Sequence, residues 1–293
     1  MCKTCVKFVE QNAKDSEKSS LARAIGGRTV RRAEKRLEKR VKRVFVNQLD
    51  FVFRQVRKMK DILFVSEFVK ILKEESEVSP EQKLRIDFIS DNIPSQSKLV
   101  DEIVDADQIM LTKGANHEIR ALKLASFGIS FSLKNVLAEK FLENKKTLEL
   151  SDYRGNIHGT TKKRIKNILL NGVRAGKSWE QMGEEIQKQG DEGVFSKSRA
   201  ELIAIREIGD AYEFGRQVPV SDFYDEFPDR EIKKRTITAG DRRVTRPHRI
   251  NASDGWIFFK QPFSGTGDDR APFTDNPRCR CSTVYKILGE NTR

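Results

Sequence analysis

Arg235-Thr236-Ile237-Thr238-Ala239-Gly240-Asp241-Arg242-Arg243-Val244-Thr245-Arg246-Pro247-His248, then Asp254-Gly255-Trp256, then Asn276-Pro277-Arg278-Cys279-Arg280-Cys281: this C-terminal stretch differs in texture from everything before it. Ile232 to Ala239, Trp256 to Phe259 and Ser282 to Leu288 read as strands. Loops rich in Gly and polar residues, such as Ser264-Gly265-Thr266-Gly267-Asp268-Asp269, separate them. The stretch also brings Asp, His and Cys, three metal-ligand types, into one small unit.

Upstream, apolar residues recur at helical spacing. Val30, Ala33, Leu37, Val41, Phe45, Leu49, Val52, Val56, Met59 and Leu63 follow one another in steps of three or four, which predicts one long amphipathic helix after Gly26-Gly27. Ser79-Pro80-Glu81-Gln82 opens another helix with proline in its first turn. Asn92 to Ser95 reads as a turn, and helical spacing resumes through Ile103, Ile109, Ile119, Leu122 and Ala125. Phe127 to Leu133 fits either a loop or a short extended piece, and a helix is expected from Asn135 to Thr147. Asp152 to Gly159 reads as a loop whose end, Thr160 or Thr161, caps a helix that Asn171-Gly172 stops. Ser178-x-x-Gln181 and Ser198-x-x-Glu201 have capping-box spacing; the first helix ends near Gly190 and the second at Gly215. The expected fold is mainly α with a small C-terminal α+β unit. A basic helical arm covers 1–75, a helical domain 76–217 and a compact strand-containing domain 218–293.

Charge is placed unevenly. The formal net charge is +13 over 293 residues, yet residues 1–60 hold 18 Lys/Arg against 6 Asp/Glu, and the remainder is close to neutral. Arg28, Arg31, Arg32, Lys35, Arg36, Lys39, Arg40, Lys42 and Arg43 crowd the first half of the long predicted helix. Such a concentration is a footprint for a polyanion, and contacts to phosphates would be independent of sequence and sensitive to salt. An acidic protein surface would suit it too. No run of about 18 apolar residues suggests a membrane span, and Met1 to Lys7 lacks the apolar core of a signal peptide. Four cysteines in two tight pairs, Cys2-x-x-Cys5 and Cys279-x-Cys281, are too few for a disulfide framework and point to a reducing compartment.

From about Phe131 to Ile287 the chain resembles the phage head morphogenesis family, the minor head proteins that include the Mu protein F-like group. Four places carry the likeness. They are Phe131 to Leu142 with the helix around Ile165; Gly172-x-x-x-Gly176-x-Ser178 leading to Met182 and Ile186; Leu202 to Ile208 with Arg206-Glu207, then Ala211 and Gly215; and Thr238-x-x-Asp241-x-Arg243-Val244-x-x-x-His248, Asp254-Gly255 and Pro277-Arg278-Cys279-Arg280-Cys281. Thr236 stands where the family usually has Trp, and Ile205 where it more often has Thr. The resemblance implies a virion protein present in few copies. Such a protein associates with the portal protein during head assembly, alongside other capsid or scaffolding proteins, and binds packaged double-stranded DNA. It can leave with the genome at infection. The implied location is the head interior near the portal, and the host cytoplasm during assembly. Arg206, Glu207, Asp241 and Arg243 would then be structural parts of the motif.

The polar residues of the C-terminal stretch allow several chemistries. Cys279, Cys281 and His248, with Asp241 or a further group, form a candidate structural zinc site. A rival set joins Cys2 and Cys5 to Cys279 and Cys281. The plainer alternative leaves both thiols as buried packing residues and gives Asp241 and Arg243 loop hydrogen bonds. No His-Glu-x-x-His, phosphate-binding Gly-rich loop or Gly-x-Ser-x-Gly is present, so no enzyme is expected. A metal-dependent nuclease built on Asp241, His248 and Asn251 is the alternative from another class; one histidine with few carboxylates suits it poorly. A regulatory nucleic-acid-binding protein would need a base-reading module, and none is visible. His117 and His158 stand alone and read as surface or packing histidines.

Overall fold

A computed structural model describes residues 28–60, 80–93, 96–147, 151–152 and 155–290, apart from positions 176, 178, 190–192, 194, 239, 241, 243, 274 and 277. The described residues are mostly helical, with a three-stranded antiparallel sheet near the C-terminus, as the sequence predicts. The helices are α1 (Arg28–Lys60), α2 (Pro80–Asp91), α3 (Gln96–Ala121), α4 (Val136–Thr147), α5 (Ile157–Arg174), α6 (Trp179–Lys188), α7 (Lys197–Glu226) and α8 (Arg246–Ser253). The strands are β1 (Ser151–Asp152), β2 (Gly155–Asn156), β3 (Arg230–Ile237), β4 (Ile257–Phe258) and β5 (Ser282–Glu290). None of the described helices is long and apolar enough to cross a membrane.

Packing divides the chain into two units, each discontinuous in sequence. One holds the described residues of 1–36, 103–147 and 204–293; the other holds those of 37–102 and 148–203. The linear segments 1–75, 76–217 and 218–293 do not coincide with them, because α1, α3 and α7 are long enough to contribute to both.

In the first unit the sheet order is β4-β3-β5. β3 lies antiparallel to β5, with Lys234 opposite Tyr285 and Ile237 opposite Ser282. Ile232, Lys234 and Thr236 are buried while their neighbours are only partly so, the two-residue period of a strand with one covered face. Its core joins helix and sheet: Ile119, Leu122, Leu124, Val220 and Phe223 pack with Ile232, Phe259, Tyr285 and Ile287. A smaller core beside it contains Ile257, Phe263, Ala271, Phe273, Cys279 and Cys281. A buried ionic network joins α3, α7 and β5. Arg216, with no exposed side-chain surface, donates to Glu118 at 2.6 Å and contacts Glu213 at 3.2 Å. It also donates to Ser282 Oγ at 2.8 Å, and Glu213 accepts from the Thr283 amide at 3.0 Å. In the second unit Phe45 meets Phe195 edge-on at 6.0 Å, the Arg199 guanidinium lies over Phe45, and Lys166 pairs with Asp87.

Several boundaries differ from the sequence reading. α7 runs through Gly215 and Pro219 to Glu226. Gly215 is a contact residue, not a stop: an added Cβ would lie 2.2 Å from the Leu111 carbonyl oxygen, and one on Gly114 2.1 Å from that of Tyr212. Gly172 likewise sits inside α5, where Met182 Sδ would be 2.4 Å from a Cβ. α5 starts at Ile157, so Thr160 and Thr161 lie within the helix, and buried Thr161 accepts from Arg199 at 2.9 Å. Where Asp152 to Gly159 reads as a loop, Ser151–Asp152 and Gly155–Asn156 form the short strands β1 and β2, and α5 takes the residues from Ile157. Ser196, not Ser198, accepts the first-turn amide of Arg199 at the start of α7. α8 is a helix that the sequence reading did not include. The Ser178 cap, like the chain before Arg28, falls outside the described residues.

Candidate functional site

Two features follow from the placement of the predicted site residues. The first is the surface of α1. At about 100° per residue, Arg28, Arg31, Arg32, Lys35, Arg36, Lys39, Lys42 and Arg43 fall within an arc of about 140°. All eight are exposed, and Arg40, at the margin of the arc, is half-buried beside Glu102 at 2.8 Å. The opposite side carries the buried residues Val30, Leu37, Val41, Val44, Gln48 and Val52. Between Arg28 and Arg43 the only acids are Glu34 and Glu38: buried Glu34 lies about 60° outside the arc, and half-buried Glu38 borders it, about 20° beyond Arg31. The basic stripe extends about 22 Å at 1.5 Å per residue. Helix formation thus segregates charges that are mixed in the sequence.

The second is a cluster of thiols and imidazole. α8 holds His248, and the loop entering β5 holds Cys279 and Cys281; all three are buried. His248 Nδ1 lies 3.9 Å from Cys279 Sγ and 3.6 Å from Cys281 Sγ. The other ring nitrogen, Nε2, is 2.6 Å from Asp275 Oδ1. Burial disfavours a charged imidazole, but the hydrogen bonds and charges of Cys279 and Asp275 outweigh it, so the His248 pKa is raised. The Cys279 pKa is lowered, chiefly by its hydrogen bond with Cys281; burial opposes this and His248 adds to it. Among the described residues these three are a group that could hold a metal ion. Asp275 has no counterpart in the sequence reading, because nothing in its neighbourhood in the chain distinguishes it.

Other predicted residues shape the surroundings. Arg206 Nη1 donates to the carbonyl of Phe273 at 2.8 Å and so holds the chain ahead of the cysteines. Glu207 is buried and pairs with Lys145, which also lies 3.2 Å from Asp210. Arg270 closes on Asp210 at 2.8 Å. Burial works against the charge on Asp210, but Arg270, Lys145 and Arg206 prevail and lower its pKa. Asp107, buried next to this cluster with neither carboxylate oxygen hydrogen-bonded, has its pKa raised by that burial. Asn251 is committed to a loop: it donates to Thr266 Oγ1 at 2.9 Å and accepts from the Gly265 amide at 2.7 Å. Asp241 and Arg243, like Cys2 and Cys5, lie outside the described residues. His117 takes a packing role, with Nδ1 2.7 Å from the Tyr212 hydroxyl.

The two features meet through Arg280. Its guanidinium forks onto Glu34, at 2.8 and 3.0 Å, on the covered side of α1. One residue to either side, Cys279 and Cys281 face His248. Comparison with known proteins gives no match: no family model, curated protein or solved structure is similar to the chain.

Proposed function

We propose that the chain is a minor head protein of a double-stranded DNA bacteriophage, stationed at the portal during assembly, with the exposed face of α1 lying on packaged DNA. The observation that carries this reading is the cationic arc of α1, with no acid inside it, which is opposite in charge to a phosphate backbone and would release counterions on contact. The order and spacing of the motifs between Phe131 and Ile287 supply the phage assignment. Arg206, Glu207, His248, Cys279 and Cys281 occupy one packing unit, which supports treating the C-terminal part of the motif, though not the Ile165 to Ile186 part, as a structural module. The nuclease alternative loses support, since both ends of the Asn251 amide are used inside the protein.

The test is mass spectrometry of purified phage particles before and after DNA release. The polypeptide is expected at a few copies per filled head, and in reduced amount in emptied heads if it leaves with the genome. Filled heads and assembly intermediates that lack it altogether would overturn the assignment.

A further inference from the structure

We infer that His248 Nδ1, Cys279 Sγ and Cys281 Sγ bind one Zn²⁺ ion, and that Asp275 is the positioning carboxylate of this site. Two sulfur atoms approach one imidazole nitrogen, at 3.6 and 3.9 Å. Without a metal the three groups are hydrogen-bonded to one another, Cys279 to Cys281 and the thiols to Nδ1; deprotonated, the same two sulfurs and the Nδ1 lone pair are a zinc donor set that converges on one point. With Zn–S near 2.3 Å and Zn–N near 2.0–2.1 Å, tetrahedral geometry puts ligand N and S about 3.6 Å apart. The observed separations already approach that value, and all three ligand atoms lie within 4.8 Å of one another.

The ring orientation points the same way. Asp275 lies against Nε2, on the opposite edge of the ring from the sulfurs. A carboxylate there holds the proton on Nε2 and leaves the Nδ1 lone pair facing the thiols, the carboxylate–histidine–metal arrangement that fixes a ligand tautomer. For the same reason Asp275 does not itself reach the ion. Soft thiolates with an imidazole favour zinc over hard cations such as Mg²⁺ and Ca²⁺. Among the described residues, these three fill three of the four tetrahedral positions. The neighbours Phe263, Phe273 and Ile257 are apolar, which suits a staple between α8 and the loop before β5. A cysteine nucleophile assisted by His248 and Asp275 is the competing reading of the same atoms. Burial of both thiols argues against it.

The experiment uses the full chain with Cys2→Ser and Cys5→Ser, so that Cys279 and Cys281 are its only cysteines. Purified protein should carry one zinc per chain. Its cobalt-substituted form should show thiolate-to-metal charge transfer and the intense visible bands of a tetrahedral ion. Asp275→Asn, which removes no ligand, should fold and hold zinc about 10- to 100-fold more weakly. Metal-free protein that melts normally, gains no thiolate band with cobalt and is rapidly alkylated at Cys279 would overturn the site and favour the nucleophile. Unchanged zinc affinity in Asp275→Asn would overturn the role of Asp275.

Discussion

Arg216 shows how one buried charge can organise a unit. Its side chain has no exposed surface, and the flanking Glu118 and Glu213 raise its pKa despite burial. Replacing Arg216 by Met keeps volume but leaves two buried carboxylates without their cation. Arg216→Met is therefore expected to cost about 3–5 kcal/mol in denaturant unfolding. His117 gives a pH signature. Burial, with Arg216 and Arg120 adding to it, lowers its pKa from the usual 6.5 to about 4. The folded chain therefore binds this proton less readily than the unfolded chain. The stability it contributes is complete above pH 6.5 and is lost as pH falls toward 4. Allowing for its partial exposure, wild type should lose about 1–2 kcal/mol more than His117→Gln between pH 7 and pH 4. Equal losses in the two proteins would remove His117 from the acid response.

At the scale of elements, glycines decide how closely helices approach. Alanine normally favours a helix over glycine by about 1 kcal/mol. At Gly114 and Gly215 the clash with a facing carbonyl oxygen reverses that sign, because a backbone atom cannot swing away. Either substitution by Ala should destabilise by about 1–3 kcal/mol. Gly183 in α6 is the control: a Cβ there would meet Phe53 at an ordinary 3.5 Å, so Gly183→Ala should stabilise by about 0.5–1 kcal/mol. Thermal melts of the three variants test both signs.

The same glycines show what was legible. α1 could be read because its apolar spacing is regular over many turns, and β3 and β5 because apolar runs end at turn residues. Gly172 and Gly215 were misread because a helix stop and a close-packing contact use the same residue, and only the partner helix tells them apart. α8 escaped because eight residues, Pro247 among them, give too little periodicity. His248, Cys279 and Cys281 were legible as ligand types with suggestive spacing. Asp275 was not, since it is defined only by the ring nitrogen it faces.

In the whole molecule, the first turns of the cationic helix, through Arg36, belong to the same unit as the C-terminal module. Arg280 is the link: it sits between the two thiols and clamps Glu34, opposite the basic arc. The proposed function requires this arc to hold DNA. It is tested most directly by measuring affinity for a random-sequence duplex between about 50 and 200 mM salt, with wild type and with Arg32, Lys35, Arg36, Lys39 and Arg43 all changed to Gln. These five side chains are exposed, so the buried side of α1 stays intact and melting should be unchanged. Wild-type affinity should fall steeply with salt, and the variant should bind weakly with a log–log slope shallower by about 4. A folded variant with wild-type affinity and slope would contradict it.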